Sequence, residues 1–136
     1  MKKIISLLTC ILLFTACDKL EKNGDLDGMW QLYAFKKADG TLLNTKAEQL
    51  YLSFQGDLMT LQKTSVCMFI GNFEQTSTTL SLFNIRQTTD NAELVTKEEL
   101  ERFYLSSTAP LFTVETLSKD KMILKTTDGL FYFRKY

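Results

Sequence analysis

Lys121-Met122-Ile123-Leu124-Lys125-Thr126-Thr127-Asp128-Gly129-Leu130-Phe131-Tyr132-Phe133-Arg134-Lys135-Tyr136 ends the chain and reads as a β-hairpin. Met122 and Leu124 alternate with Lys121, Ile123 and Lys125, the period of two expected of a strand with one buried face. Asp128-Gly129 is hairpin-turn chemistry, because glycine takes positive φ without a steric penalty. Of the residues 130–136, Leu130, Phe131, Tyr132, Phe133 and Tyr136 are apolar or aromatic, as a return strand against a core requires.

The same pattern runs upstream. Trp30, Leu32 and Ala34 alternate with Gln31, Tyr33 and Phe35, predicting a strand to about Lys37, and Asp39-Gly40 is a turn. Residues 41–49 are mostly polar and read as a loop or a short helical turn. Alternation returns over 50–54, Gln55-Gly56-Asp57 turns the chain, and Leu58–Lys63 is the return strand. The nearly continuous apolar run 66–73 predicts a fully buried strand with a bulge or bend at Gly71. Residues 78–85 place Leu80 and Leu82 on one face, and Leu111–Leu117 does the same with Phe112 and Val114. About eight short strands with tight, glycine-bearing turns argue for an all-β barrel or sandwich. Consecutive hairpins favour an antiparallel up-and-down barrel, whose interior is either filled by side chains or holds one small ligand.

One connection differs. Thr96-Lys97-Glu98-Glu99 fits a capping box, and Leu100, Phe103 and Tyr104 form one apolar stripe at helical spacing. A short helix over 97–105 is predicted, between strands five and six. Too short to be stable alone, it must dock on the barrel. Pro110, the single proline, disfavours helix at Ala109.

At the other end, Lys2-Lys3 precedes about eleven mostly apolar residues and then Phe14-Thr15-Ala16-Cys17. The apolar stretch suits a secretory signal and is too short for a membrane span. The last four residues resemble a bacterial lipobox. Residues 1–16 then form a lipoprotein signal peptide, and Cys17 becomes the lipidated first residue. Residues 17–25 are a polar tether and 26–136 the barrel domain. An ordinary signal peptide cut elsewhere, or a buried strand, is the competing reading. Palmitate-type chains on Cys17 would hold the domain at the outer membrane of the cell envelope without a transmembrane helix.

Removing residues 1–16 leaves fourteen basic residues against sixteen acidic ones. A balance this close predicts no basic stripe for nucleic acid or anionic headgroups. There is no histidine, so histidine-based triads and histidine metal sites are excluded. With Cys10 removed and Cys17 acylated, Cys67 stands alone among apolar neighbours and lacks a base to activate it. Asp25 and Asp27, or Glu98 and Glu99, read as ordinary solvated carboxylates rather than a calcium or acid–base pair. No cofactor, metal or catalytic group is expected.

Gly28-Met29-Trp30 at the first strand resembles the Gly-x-Trp signature of lipocalins. Together with the closing hairpin and the lipobox, it makes the chain similar to lipocalin-like lipoproteins of unknown function from Bacteroides and its relatives. That resemblance implies a barrel closed at one end by Trp30, with a late basic residue over it, for which Arg134 is the candidate. The helix between strands five and six and the absence of a disulfide depart from the lipocalin pattern. The expectation is a membrane-anchored envelope protein taking a small apolar ligand, lined by Trp30, Leu52, Phe54, Leu82, Phe112, Leu124 and Phe133. The alternative is a protein-interaction or inhibitor module at the envelope. It would use the connection 86–105, which opens at Arg86 and closes at Leu105.

Overall fold

The structure is a computed structural model that describes residues 23–89 and 91–136. Residues 1–22, on which the expected signal peptide, Cys17 and most of the expected tether fall, lie outside the described residues. Nine strands follow in order among the described residues: β1 (Gly28–Lys37), β2 (Leu42–Asn44), β3 (Leu50–Gln55), β4 (Leu58–Lys63), β5 (Val66–Gln75), β6 (Thr79–Gln87), β7 (Leu111–Leu117), β8 (Lys121–Thr126) and β9 (Gly129–Lys135). All pairings are antiparallel between neighbours, and β1 also pairs with β9. Eight strands therefore close into an up-and-down barrel, and the short β2 lies along the upper part of β1. Closure leaves no long open edge for another chain to pair with.

The hairpin 121–136 forms as its sequence requires, with Met122 opposite Phe133 and Leu124 opposite Phe131, all four buried. Elsewhere bulges reset the alternation. A register shift between Leu32 and Ala34 turns Phe35 inward and Ala34 outward, reversing the parity expected of those two residues. A second shift, between Ile70 and Asn72, confirms the bulge at Gly71. The run 66–73 is not fully buried: Phe69 points into the core, Ile70 is half-buried and Val66 is 61% exposed. Its outer apolar residues face solvent because a barrel wall buries one side only.

The helix follows β6, between the fifth and sixth of the barrel strands once β2 is set aside. It is shorter than 97–105: α1 (Lys97–Leu100) tightens into a 3-10 turn over Glu101–Phe103. Tyr104 then takes a left-handed conformation, φ 62°, that ends it. Residues 41–49, read as loop or helical turn, hold both β2 and a 3-10 turn, Lys46–Glu48.

Candidate functional site

The two ends of the barrel are built differently, and each is closed. At the end where the chain enters, a 3-10 turn, Gly24–Leu26, tucks Leu26 under the barrel, 1% exposed. The indole Nε1 of Trp30 donates to the Leu26 carbonyl at 2.8 Å, so the one polar atom of the ring is satisfied in the core. The ammonium of Lys135 lies 4.2 Å from the Trp30 ring centroid and donates to the carbonyls of Asp25 and Asp27.

The expected partner, Arg134, is not there. Its Nε donates to Gln31 Oε1 at 2.9 Å on the outer wall. The reason is parity: Phe131, Phe133 and Lys135 share one face of β9, and the register sets Lys135 opposite Trp30. Counting in twos from Phe133 would have found it.

At the opposite end, the connection after β6 turns inward. Residues 93–95 run back along 85–87, with Gln87 N donating to the Glu93 carbonyl and Val95 N to that of Ile85, both at 2.9 Å. The Thr96 hydroxyl accepts from the Glu99 amide while the Glu99 carboxylate accepts from the Thr96 amide, as the capping box predicted. That amide holds the Glu99 carboxyl below the usual carboxylate range. Val95, Leu100, Phe103 and Leu105 are all buried, and Phe103 meets Phe69 edge-on at 6.1 Å.

Polar clamps hold this plug. The Tyr104 hydroxyl lies 2.8 and 2.7 Å from the two Glu48 oxygens, donating to that carboxylate, while its ring stacks on Phe35 at 4.9 Å. Burial, aided by the Glu48 carboxylate, pushes the phenol up to about 12. Gln87 Nε2 donates to Glu99, and the Ser106 hydroxyl to Asp128, each at 2.7 Å.

All seven expected ligand-lining residues are buried. Leu52, Leu82, Phe112 and Phe133 converge on one internal cavity of about 20 Å³; Trp30, Phe54 and Leu124 do not line it. The sequence missed Leu50, Phe131 and, above all, Phe103 and Leu105, which enter from the plug. The cavity could house one water by volume, but its walls offer no polar side chain beyond Tyr51, and apolar voids of this kind stay dry.

Among the described residues, no three histidine, cysteine or acidic side chains gather to hold a metal ion. Cys67 is half-buried on β5, and burial pushes its thiol up, away from the nucleophilic thiolate. No described helix is long and apolar enough to cross a membrane.

Residues 12–136 match the family of lipocalin-like domains. The chain belongs to that family. No curated protein matches it. Two solved structures share the lipocalin-like barrel. A lipocalin-like protein from Bacteroides uniformis is 25% identical, with a TM-score of 0.65, over 83% of this chain and 100% of that one. An uncharacterized protein from Bacteroides eggerthii is 21% identical, with a TM-score of 0.62, over 82% and 99%. The second likeness shows the fold alone.

Proposed function

We propose that this lipocalin-like protein is anchored through acylated Cys17 at the bacterial cell envelope and acts by its outer surface. In this reading the connection 86–105 binds another envelope protein. One observation carries the choice of surface over interior. The barrel leaves about 20 Å³ inside, whereas small-molecule sites need roughly 300–1,000 Å³. The connection is also shaped rather than loose. Arg86 Nη1 donates to the Ala92 carbonyl at 3.1 Å, Arg86 bridges Leu94, and Leu94 is 59% exposed. Only Asp90 of this stretch lies outside the described residues.

Metabolic palmitate labelling tests the anchor: wild type should be labelled and Cys17→Ser should not. Photocrosslinkers at Leu94 and Arg102 test the surface. They should give one discrete protein adduct in intact cells, and one at Lys63 should give none. Equal adducts at all three positions, or none at any, would overturn the surface reading.

A second reading is favoured by the lining of the cavity. Phe103 and Leu105 fill what would otherwise be a larger apolar chamber, so a small apolar ligand could enter if residues 95–105 swung out. Native mass spectrometry of protein purified from cells should then reveal a bound apolar molecule. Its absence, together with no uptake of an apolar dye by Phe103→Ala, would exclude this reading.

A further inference from the structure

The near balance of charge along the chain conceals a segregated arrangement. On the outer face of three adjacent strands, β8 presents Lys121 and Lys125, β9 presents Arg134 and β1 presents Lys36, all exposed. The register sets Lys121 beside Arg134, and sets Lys125 and Lys36 on either side of Leu130. Lys46 joins them from its 3-10 turn, sharing a shallow hollow with Tyr33, Lys121, Arg134 and one carboxylate, Asp120. No carboxylate among the described residues closes an ion pair with these five cations.

The cations frame an apolar row. Ala34, Tyr132 and Ile123 are cross-strand neighbours, each half-buried, and Tyr33 packs on Tyr132 at 6.2 Å. Leu42 on β2, 63% exposed, borders the row beside Lys36. Other carboxylates at the rim are Glu48, which shares the turn of Lys46 and accepts from the Tyr104 hydroxyl, Glu115, exposed at the β7 bulge, Asp39, which accepts from the Thr41 amide, and Asp128, which accepts from the Ser106 hydroxyl. The expectation that no basic stripe exists is therefore corrected: folding gathers the cations that the sequence scatters.

We propose that this face rests against the anionic headgroups of the bilayer to which the chain is tethered. The inference depends on acylation of Cys17. Cys17 precedes Asn23 by six residues, a reach of about 22 Å at most. The barrel cannot stand far from the lipid, and β1 begins near the tethered end. Basic side chains are drawn to an anionic surface, tyrosine is enriched at headgroup level, and a lipid chain plus a basic patch anchors more firmly than either alone. A protein partner fits less well, because lysine is depleted at protein interfaces and supplies four of these five cations. Across the barrel, β4 offers Thr60 and Gln62 at its outward positions, with Leu58 exposed beside them and no cation between.

The full acylated chain, carrying Cys67→Ser, tests this with an environment-sensitive fluorophore at Leu42→Cys or at Thr60→Cys. Vesicles are phosphatidylcholine alone, or phosphatidylcholine with roughly one third phosphatidylglycerol. Flotation reports the anchor, and quenching by brominated lipid reports the face. The Leu42 label should be quenched roughly twofold or more above the Thr60 label, only on the anionic vesicles. High salt and the Lys121→Gln/Lys125→Gln double variant should abolish the difference. Flotation with equal quenching at both positions, or quenching indifferent to phosphatidylglycerol or to the double variant, overturns the orientation and leaves the anchor standing. Failure to float overturns both.

Discussion

Lys135 places its ammonium 4.2 Å from the centroid of the Trp30 ring, joining the last strand to the first. Lys135→Met keeps the aliphatic stem and removes the charge. The expected loss is about 1–2 kcal/mol, from the cation–π contact and the carbonyl hydrogen bonds. Urea unfolding followed by fluorescence of Trp30, the single tryptophan, measures it. Arg134→Met, which breaks only the contact with Gln31, should lose less, about 0.5–1 kcal/mol.

The Tyr104–Glu48 pair makes the plug sensitive to alkali. The free phenol titrates near 10 and the folded one at about 12, so the folded state favours the protonated form. This contribution is whole below about pH 10 and is lost as pH rises through about 12. Tyrosinate absorbance should show a transition near pH 12 that moves to lower pH in Glu48→Gln and vanishes in Tyr104→Phe.

Glu99 has the opposite sign. Its carboxylate is favoured by the Thr96 amide, so its contribution is present above the ordinary glutamate range and is lost as pH falls through its lowered value. Amide exchange over residues 96–103 should quicken in acid before the barrel strands do. Thr96→Ala should cost about 1 kcal/mol and quicken the same amides at neutral pH.

Gly129 admits no side chain. Its φ is +147°, and a Cβ would fall 2.0 Å from the Lys36 carbonyl oxygen, a backbone atom that cannot turn aside. Gly129→Ala should therefore destabilise by more than about 2 kcal/mol. Gly56→Ala at the β3–β4 turn meets open space, and its strain at φ +60° should cost only about 1 kcal/mol. Thermal unfolding of the two variants separates the cases.

Most of the barrel was legible because each hairpin is local. Asp128-Gly129 with its alternating flanks, or Thr96 with Glu99, needs no distant residue to be read. What escaped depended on phase or on distance. The bulge between Leu32 and Ala34 exchanged Ala34 for Phe35 in the core, and no local signal marked it. Phe103 and Leu105 read as the packed face of a helix, but where that face docked was invisible until the barrel mouth was in view. The pairing of Lys135 rather than Arg134 with Trp30 was within reach of strict parity. The basic face was not, since it exists only when β1, β8 and β9 lie side by side.

The pairing of β1 with β9 also has a consequence in time. Trp30 and Lys135 are partners at nearly the greatest sequence separation the domain offers, so the ring cannot shut until the final residues are available. Such long-range closure makes folding slow, and a chain ending before Gly129 would leave β1 with an unmet row of amides and carbonyls. A nascent or truncated copy is thus the form most exposed to self-association, and the last seven-residue strand decides when that exposure ends.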